Sequence, residues 1–240
     1  MKAPLPYKRV LLKVSGEALL GDQQFGIDDA VIGRIAGEIA AAVKLGIKLA
    51  LVVGGGNIFR GMTIAKAGGN RVAGDQMGIL ATVMNGIALQ QKLSAEGLRT
   101  RLFSAMAMPE ICETFNQRAA EAAFEAGEVV LFVAGLGHPF LTTDTTAAMR
   151  GAEMGCDAIF KGTQVDGVYS ADPKKDRKAV RYDRITYDAV LNQRLGVMDV
   201  AAIALARENR IPVIVFSIKQ PGAFVDILKG KGRATVVADR

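Results

Sequence analysis

Short apolar runs alternate with helical patterns along most of the chain, and this alternation constrains the fold more than any other feature. The run at 47–53 is almost continuously apolar, a pattern typical of a parallel strand that is buried on both faces. Segment 28–44 instead carries isoleucines at helical spacing, and Asp28 or Asp29 can cap its first turn. Strands and helices that alternate in this way predict a three-layer αβα sandwich with a mostly parallel central sheet.

The remaining elements follow from the same reasoning. Further strands are expected at 10–14, 99–104, 128–134, 157–161, 212–216 and 234–237, and further helices at 74–95, 117–126, 143–155, 200–208 and 224–228. Residues 165–168 predict a tight hairpin turn. The apolar side of the 74–95 helix is expected to consist of Met77, Leu80, Met84, Ile87 and Leu93. Because no linker or internal repeat interrupts the pattern, one domain over 1–240 is expected, with two lobes that divide near residue 150.

Composition and charge exclude several classes of protein. The net charge of +6 and the pI of about 9.4 indicate anionic partners, and small phosphates are favoured over nucleic acid because the basic cluster at 174–178 lacks aromatic neighbours. Two cysteines without C-x-x-C spacing and a single histidine argue against a disulfide framework, a zinc site or a histidine-based metal centre. Neither a signal peptide nor an uncharged stretch near the ~20 residues of a membrane span is evident, so a cytoplasmic location is expected.

Three turns that contain glycine follow predicted core strands. They are Ser15-Gly16, Gly54-Gly55-Gly56-Asn57 and Gly135-Leu136-Gly137-His138. In open parallel sheets, ligands bind beyond the carboxyl ends of the strands, and glycine lets backbone amides approach phosphate oxygens. One such turn could simply be a tight loop, but three after successive strands predict a phosphate-binding edge of the sheet.

Neither standard nucleotide motif explains these turns. The string G-x-x-x-x-G-K-[ST] of a P-loop does not occur in the chain. The dinucleotide fingerprint G-x-G-x-x-G also fails, because the third glycine is displaced after Gly56 and missing after Gly137. An NAD-dependent oxidoreductase is therefore disfavoured.

Charged residues close to the turns supply what phosphoryl transfer requires, which is positive charge around the transferring group and carboxylates that orient it. Lys13 lies inside the first predicted strand, where a lysine is costly unless it meets an anion or reaches solvent at the strand end. Lys161 repeats this arrangement at the end of another predicted strand. Two lysines at equivalent strand ends favour a shared anion.

Three further residues have more than one interpretation. Arg60 follows Gly56 by four residues, where its forked guanidinium could grip phosphate. Asp75 and Asp144 each fall near the start of a predicted helix. Their carboxylates could act in the chemistry, or could only complement the helix dipole.

Six strings of residues carry a family resemblance: Lys13 to Leu19, Gly54 to Gly61, Gly74 to Gly78, Leu80 to Gly86, Pro139 to Asp144 and Lys161 to Pro173. They resemble the bacterial uridylate kinases of the amino acid kinase superfamily, and the resemblance extends from about Tyr7 to the C-terminus. It implies an amino acid kinase-like fold that binds MgATP and UMP and transfers the γ-phosphoryl group to make UDP. The lobe up to about residue 150 would bind UMP, and the lobe from 151 to 240 would bind ATP.

The resemblance also implies residue roles. Lys13, Asp144, Lys161 and Arg60 would be catalytic, and Asp144 would orient the two lysines. ATP would contact Lys13, Val14, Ser15, Gly16, Gly56, Arg60, Thr163, Tyr169 and Asp172. UMP would contact Gly55, Asp75 and the segment Leu136, Gly137, His138, Pro139, Phe140, Leu141, Thr142 and Thr143. The segment of Gly21, Asp22, Gln23, Gln24, Phe25 and Gly26 would respond to GTP.

No side chain is expected to ligate a metal directly, and Mg²⁺ would enter with ATP. The family further implies a homohexamer, activation by GTP and inhibition by UTP, with no need for nucleic acid or a membrane. Two other classes stay open at this stage: a related kinase that acts on a carboxylate or carbamate, and a non-catalytic protein that binds a nucleotide or oxyanion. The presence of Lys13, Asp144 and Lys161 together disfavours the second of these, because binding alone does not need such a costly set of charges.

Overall fold

Within the part of the chain that the structure describes, the central sheet has nine strands and is parallel at every pairing but one. The computed structural model describes residues 6–59, 68–173 and 175–239. The strands are β1 (Arg9–Val14), β2 (Lys48–Val53), β3 (Thr100–Ser104), β4 (Glu113–Thr114), β5 (Val129–Val133), β6 (Ala158–Thr163), β7 (Val168–Tyr169), β8 (Arg181–Tyr182), β9 (Arg184–Ile185), β10 (Val213–Ser217) and β11 (Thr235–Val237). The sheet order is β4-β3-β5-β2-β1-β6-β10-β11-β9, β10 and β11 are antiparallel, and β7 pairs with β8 separately.

Helices connect the parallel strands. They are α1 (Asp29–Lys44), α2 (Arg71–Ala95), α3 (Gln117–Glu125), α4 (Thr143–Glu153), α5 (Tyr187–Asn192), α6 (Val200–Glu208) and α7 (Ala223–Leu228), and a short 3₁₀ helix spans Gly16–Leu19. Several of these helices are capped at the N-terminus by a polar side chain. Asp28 caps α1 by accepting a hydrogen bond of 2.9 Å from the backbone N–H of Val31, and Thr142 caps α4 in the same manner.

The core consists of two apolar layers, one on each face of the sheet. Val10, Leu12 and Val14 of β1 belong to the layer that also contains residues of α1, α2 and α7. Leu11 points to the opposite layer, which contains residues of α3, α4 and α6. The alternation of side chains along a strand produces these two faces, and the predicted three-layer αβα sandwich is confirmed.

Most predicted helices and strands are present, and their ends differ from the predicted ends by at most three residues. Several short elements of the structure were not predicted. The 3₁₀ helix, β4, β7, β8, β9 and α5 are the elements that the sequence patterns did not indicate. The predicted hairpin turn at 165–168 is wrong, because β6 pairs with β1 and β10 whereas β7 pairs with β8. Instead of turning back, the chain is held towards β11, where the backbone N–H of Val168 donates to Oγ1 of Thr235 at 2.8 Å.

Helix α2 differs most from its prediction. It begins at Arg71 rather than Gly74, because Asn70 caps it by accepting from the N–H groups of two following residues. Three residues of its predicted apolar side are exposed, Met77 by 46%, Leu80 by 50% and Met84 by 56%. The buried side is instead formed by residues such as Ile79, Val83 and Leu89, while the predicted Leu93 is indeed buried.

Helix α2 is also the one helix, among those described, that could cross a membrane by length and composition. Within this helix, 44% of the most apolar 18-residue stretch is buried inside the fold. Core helices of water-soluble proteins commonly share this length and composition.

Candidate active site

Three glycine turns meet at one edge of the sheet, as predicted. They follow β1, β2 and β5, which are neighbours in the order β5-β2-β1. The first two turns lie against each other: a Cβ atom added to Gly16 would lie 2.6 Å from the backbone nitrogen of Gly56 and 2.7 Å from the carbonyl oxygen of Gly54. Oδ1 of Asn57 would also lie 2.7 Å from that Cβ atom. This close approach excludes any side chain at position 16, so the backbones of the two turns come together there.

A cluster of one carboxylate and two ammonium groups lies beside these turns. Lys13 of β1 and Lys161 of β6 are direct partners in the parallel register of the two strands. Their Nζ atoms each lie 2.7 Å from a different carboxylate oxygen of Asp144, in the first turn of α4. The side chains are only 8%, 12% and 13% exposed for Lys13, Lys161 and Asp144. Lys161 also donates to the backbone carbonyl of Val197.

The electrostatics of this cluster are dominated by burial and by mutual charge. Burial by itself raises the pKa of Asp144, but the ammonium groups of Lys13 and Lys161 outweigh it and hold that pKa below its usual range. Burial lowers the pKa of Lys161, and Asp144 only partly compensates. With one negative and two positive charges, the cluster carries an excess positive charge that a bound anion would neutralise.

One cavity opens beside the cluster on the side of β2 and β5. It encloses about 310 Å³ and is lined by the predicted acceptor residues Gly55, Asp75, Leu136, His138, Leu141, Thr142 and Thr143, together with Gly56, Phe59, Arg71, Gly78, Ile79, Thr82 and Gly135. Of the predicted acceptor residues, Gly137, Pro139 and Phe140 lie in the same loop but do not line it. The backbone N–H of Phe140 donates to Oδ2 of Asp75 at 2.9 Å, which joins this loop to α2.

The carboxylate of Asp75 has a second partner within the described residues. Nε of Arg71, one helical turn earlier, lies 2.8 Å from both of its oxygens. Asp75 therefore links the helix and the 136–143 loop across the cavity, a role that its position in the sequence did not indicate.

A second cavity opens on the other side of the cluster. It encloses about 460 Å³ and is lined by Lys161 and by the predicted residues Thr163, Tyr169 and Asp172. Its other lining residues are Val165, Gly167, Val168, the segments 170–171 and 193–197, Pro173 and Val215. Val14, Ser15 and Gly16 line neither cavity, but they continue β1 directly beyond Lys13, and the backbone N–H of Ser15 donates to the carbonyl of Gly162 at 3.2 Å. Because Lys161 lines this cavity while Thr143, next to Asp144, lines the first, the cluster lies between the two.

The remaining predicted residues lie elsewhere. The segment from Gly21 to Gly26 forms a turn between the 3₁₀ helix and α1, and Phe25 within it is 66% exposed. It meets the second glycine turn where the backbone N–H of Gly26 donates to the carbonyl of Asn57. Arg60 lies outside the described residues, so its predicted role stays a prediction.

Several residues at the site were not predicted. Asp199 caps α6 and also accepts hydrogen bonds from the hydroxyls of Thr142 and Thr145, which ties α4 to α6. Asn57 and Asn85 are buried polar residues behind the second glycine turn. An asparagine within the mostly apolar stretch 77–89 of α2 is a signal that could have identified Asn85.

The described residues contain no group of three or more histidine, cysteine, aspartate or glutamate side chains that could hold a metal ion. Mg²⁺ commonly keeps several waters and binds through substrate phosphates with few protein ligands. A metal that is held mainly by substrate phosphates would need few ligands from the protein.

The fold and this site define an α/β protein whose positively charged cluster lies between two cavities, and comparison with known proteins identifies its family. The amino acid kinase family model matches residues 8–217. The chain is 60% identical to the uridylate kinase of Mesorhizobium japonicum, with 97% of each chain covered, and 59% identical to that of Rhizobium meliloti over the full length of both.

Two solved structures agree. The UMP kinase of Ureaplasma parvum superimposes with a TM-score of 0.91 at 37% identity, covering 97% of this chain and 99% of the other. The UMP kinase of Bacillus anthracis gives a TM-score of 0.93 at 37% identity and covers 98% and 97%. The chain belongs to the uridylate kinases of the amino acid kinase family, and it is therefore a kinase, a transferase enzyme.

Proposed function

We propose that the chain transfers the γ-phosphoryl group of MgATP to UMP, forming UDP and ADP in pyrimidine nucleotide biosynthesis. One observation carries the proposal: the Lys13–Asp144–Lys161 cluster lies between two cavities at the carboxyl edge of the sheet. A buried site with excess positive charge is suited to a transition state whose negative charge is spread over the transferring group. Family membership supports ATP and UMP as the two substrates.

In this proposal the two lysines stabilise the transferring group from neighbouring strands. Their ammonium groups are pre-positioned by Asp144, so little reorganisation is needed when the phosphates bind. The acceptor is already a phosphate oxyanion, and no general base is required to remove a proton from it. Arg60, together with Gly56, would hold phosphates between the two nucleotides.

The first cavity would bind UMP and the second would bind the adenosine of ATP. Gly55, the loop from Leu136 to Thr143 and Asp75 would surround UMP, with Asp75 contacting the ribose. Thr163, Tyr169 and Asp172 would line the adenosine site, while Val14, Ser15 and Gly16 would present backbone groups to the ATP phosphates. Mg²⁺ would be held mainly by those phosphates and would neutralise part of their charge. These roles divide one domain into an acceptor lobe up to about residue 150 and an ATP lobe beyond it.

The regulation and assembly proposed here rest mainly on membership of the family. GTP would activate the enzyme through the segment Gly21 to Gly26, which contacts the second glycine turn through Asn57, and UTP would inhibit it. A homohexamer in the cytoplasm is proposed, and the exposed apolar side chains of α2 supply a surface for such self-association.

One assay tests the proposal. Purified protein is given MgATP with UMP, CMP, AMP or acetylglutamate, and formation of ADP and of the phosphorylated acceptor is followed. UMP should give UDP at a rate at least ~100-fold above the other acceptors, because the first cavity would be specific for one base. If UMP supports no faster ATP turnover than acetylglutamate, the chain acts on another acceptor and the proposal fails.

A further inference from the structure

Two asparagine side chains form a reciprocal amide pair in the interior behind the second glycine turn. Asn57 is 3% exposed and Asn85, on α2, is fully buried. Nδ2 of Asn57 donates to Oδ1 of Asn85 at 3.0 Å, and Nδ2 of Asn85 donates to Oδ1 of Asn57 at 2.6 Å. A buried amide is tolerated only when its donors and acceptors are satisfied, so the location of this pair requires an explanation.

The other N–H groups of the pair bind backbone carbonyls. Nδ2 of Asn85 donates to the carbonyl of Gly54 at 2.6 Å, and Nδ2 of Asn57 donates to the carbonyl of Gly26 at 2.9 Å. All four amide N–H groups are thereby engaged. Moving the turn away from this position would leave a buried donor unpaired, which is unfavourable. The pair therefore specifies one conformation of the turn.

The turn is also confined sterically by the same helix. A Cβ atom added to Gly55 would lie 2.6 Å from the carbonyl oxygen of Gly78 and 2.8 Å from Cβ of Ala81, both on α2. Gly55 lines the first cavity, and its backbone N–H donates to no other residue in the described part of the chain. Helix α2 thus holds the Gly54 carbonyl on one side, while the N–H of Gly55 is left for a ligand.

We propose that the Asn57–Asn85 pair is a positioning element for phosphoryl transfer, which sets the second glycine turn so that its backbone amides meet the phosphate between the two nucleotides. This inference rests on the proposed function above. The two residues touch neither cavity, so they act through the turn and not on the substrate. A displacement of the turn of about 1 Å would cost roughly 10²-fold in rate.

The test compares Asn85→Leu, which keeps the branched shape and the number of non-hydrogen atoms but has no polar atoms, with Leu89→Ala, a buried substitution on the same helix that removes no polar contact. Steady-state rates, UMP and ATP dissociation constants, and thermal midpoints are measured for both and for the wild type. Asn85→Leu should lower kcat by about 10²-fold while the dissociation constant for ATP changes less than about 3-fold. Leu89→Ala should lower the thermal midpoint at least as far and retain kcat within about 3-fold. Should Asn85→Leu fail to fold, Asn85→Ser replaces it.

A second readout does not depend on activity. Amide hydrogen exchange of the peptide that contains residues 54–57 should become faster in the Asn85 variant and stay unchanged in Leu89→Ala, because only the first releases the turn. A wild type that makes no UDP would overturn the proposed function, and the exchange data would still test the positioning of the turn. The positioning role would be overturned if the wild type is active and the Asn85 variants have an unchanged kcat and an unchanged rate of hydrogen exchange at residues 54–57.

Discussion

At the scale of single residues, the site depends on two lysines that share one carboxylate. Lys13 is an interior residue of β1, and its burial is tolerable because Asp144 lies 2.7 Å away. The sequence singled out both lysines, since a charge in an apolar strand is a strong local signal. Asp144, at the start of a helix, could also have served only the helix dipole, and its role came from the family resemblance. The sequence could not predict their distances, which depend on the register of β1 with β6 and on the start of α4.

The first prediction concerns Lys13. Lys13→Ala should lower kcat by about 10³-fold or more, because it removes a preorganised positive charge from the transferring group. Lys48→Ala is the control: Lys48 begins β2 at the opposite end of the strand and pairs with Glu125 at the surface. Both rates are measured with saturating MgATP and UMP, and circular dichroism checks the fold. If folded Lys13→Ala kept a near-normal kcat, Lys13 would not be a catalytic residue and its role would be structural.

A second prediction follows from the lowered pKa of Lys161. Burial disfavours its protonated form, so Lys161 loses its proton at a lower pH than an exposed lysine would. Activity that requires the charged form is complete below this pKa and declines as the pH rises through it. The kcat should therefore decrease on the alkaline side before pH ~10.4, the usual value for lysine.

Lys161→Arg separates this residue from other titrating groups. A guanidinium stays protonated throughout the range, so the alkaline decline should move to higher pH even though the altered shape lowers the maximal rate. The measurement is kcat from pH 7 to 10.5 for both proteins. An unchanged alkaline limb in Lys161→Arg would assign the decline to a different group.

At the scale of elements, the predictions succeeded where a local sequence pattern determines the helix or strand, and they failed where tertiary packing determines it. Strand β2 and helices α1 and α6 were predicted almost to the residue, because a buried apolar run or a capped periodic segment is local information. The two-residue strands were missed, since each exists only through its neighbour. Helix α2 was given the wrong apolar side because it carries apolar residues on more than one face, and only its packing against α1, β3 and β5 selects the buried one.

The third prediction uses two glycines within helices. A Cβ atom at Gly33 of α1 would meet nothing within 4 Å, so Gly33→Ala should stabilise the protein by about 0.5–1 kcal/mol through the unfolded state. A Cβ atom at Gly86 of α2 would lie well inside van der Waals contact with the side chain of Val133. Gly86→Ala should therefore destabilise it by about 1–3 kcal/mol.

Urea denaturation of the two variants and the wild type measures these changes. Activity should be unaffected by Gly33→Ala, which lies on a helix remote from the cluster. If Gly86→Ala proved as stable as the wild type, the close approach of α2 to β5 would not be a constraint on the fold.

At the scale of the whole molecule, one sheet carries both halves of the site. The neighbouring strands β5, β2, β1 and β6 bring together residues that are up to about 150 positions apart in the chain, and the cluster lies where the two cavities adjoin. The sequence indicated this edge through its three glycine turns. It did not indicate which surfaces of the molecule are left apolar, because exposure is a property of the assembled layers.

The last prediction concerns that apolar surface. Met77, Leu80 and Met84 follow one another at helical spacing on the exposed side of α2, and contiguous exposed apolar residues are typical of association surfaces. If this surface is an interface of the proposed homohexamer, Leu80→Glu with Met84→Glu should dissociate it into smaller species, because uncompensated carboxylates would be buried at the interface. Val200→Glu is the control, since Val200 is apolar and 72% exposed but lies on α6. Sedimentation velocity at several concentrations distinguishes the outcomes: a doubly substituted protein that sediments like the wild type would exclude α2 as an interface, and a monomeric wild type would exclude the hexamer.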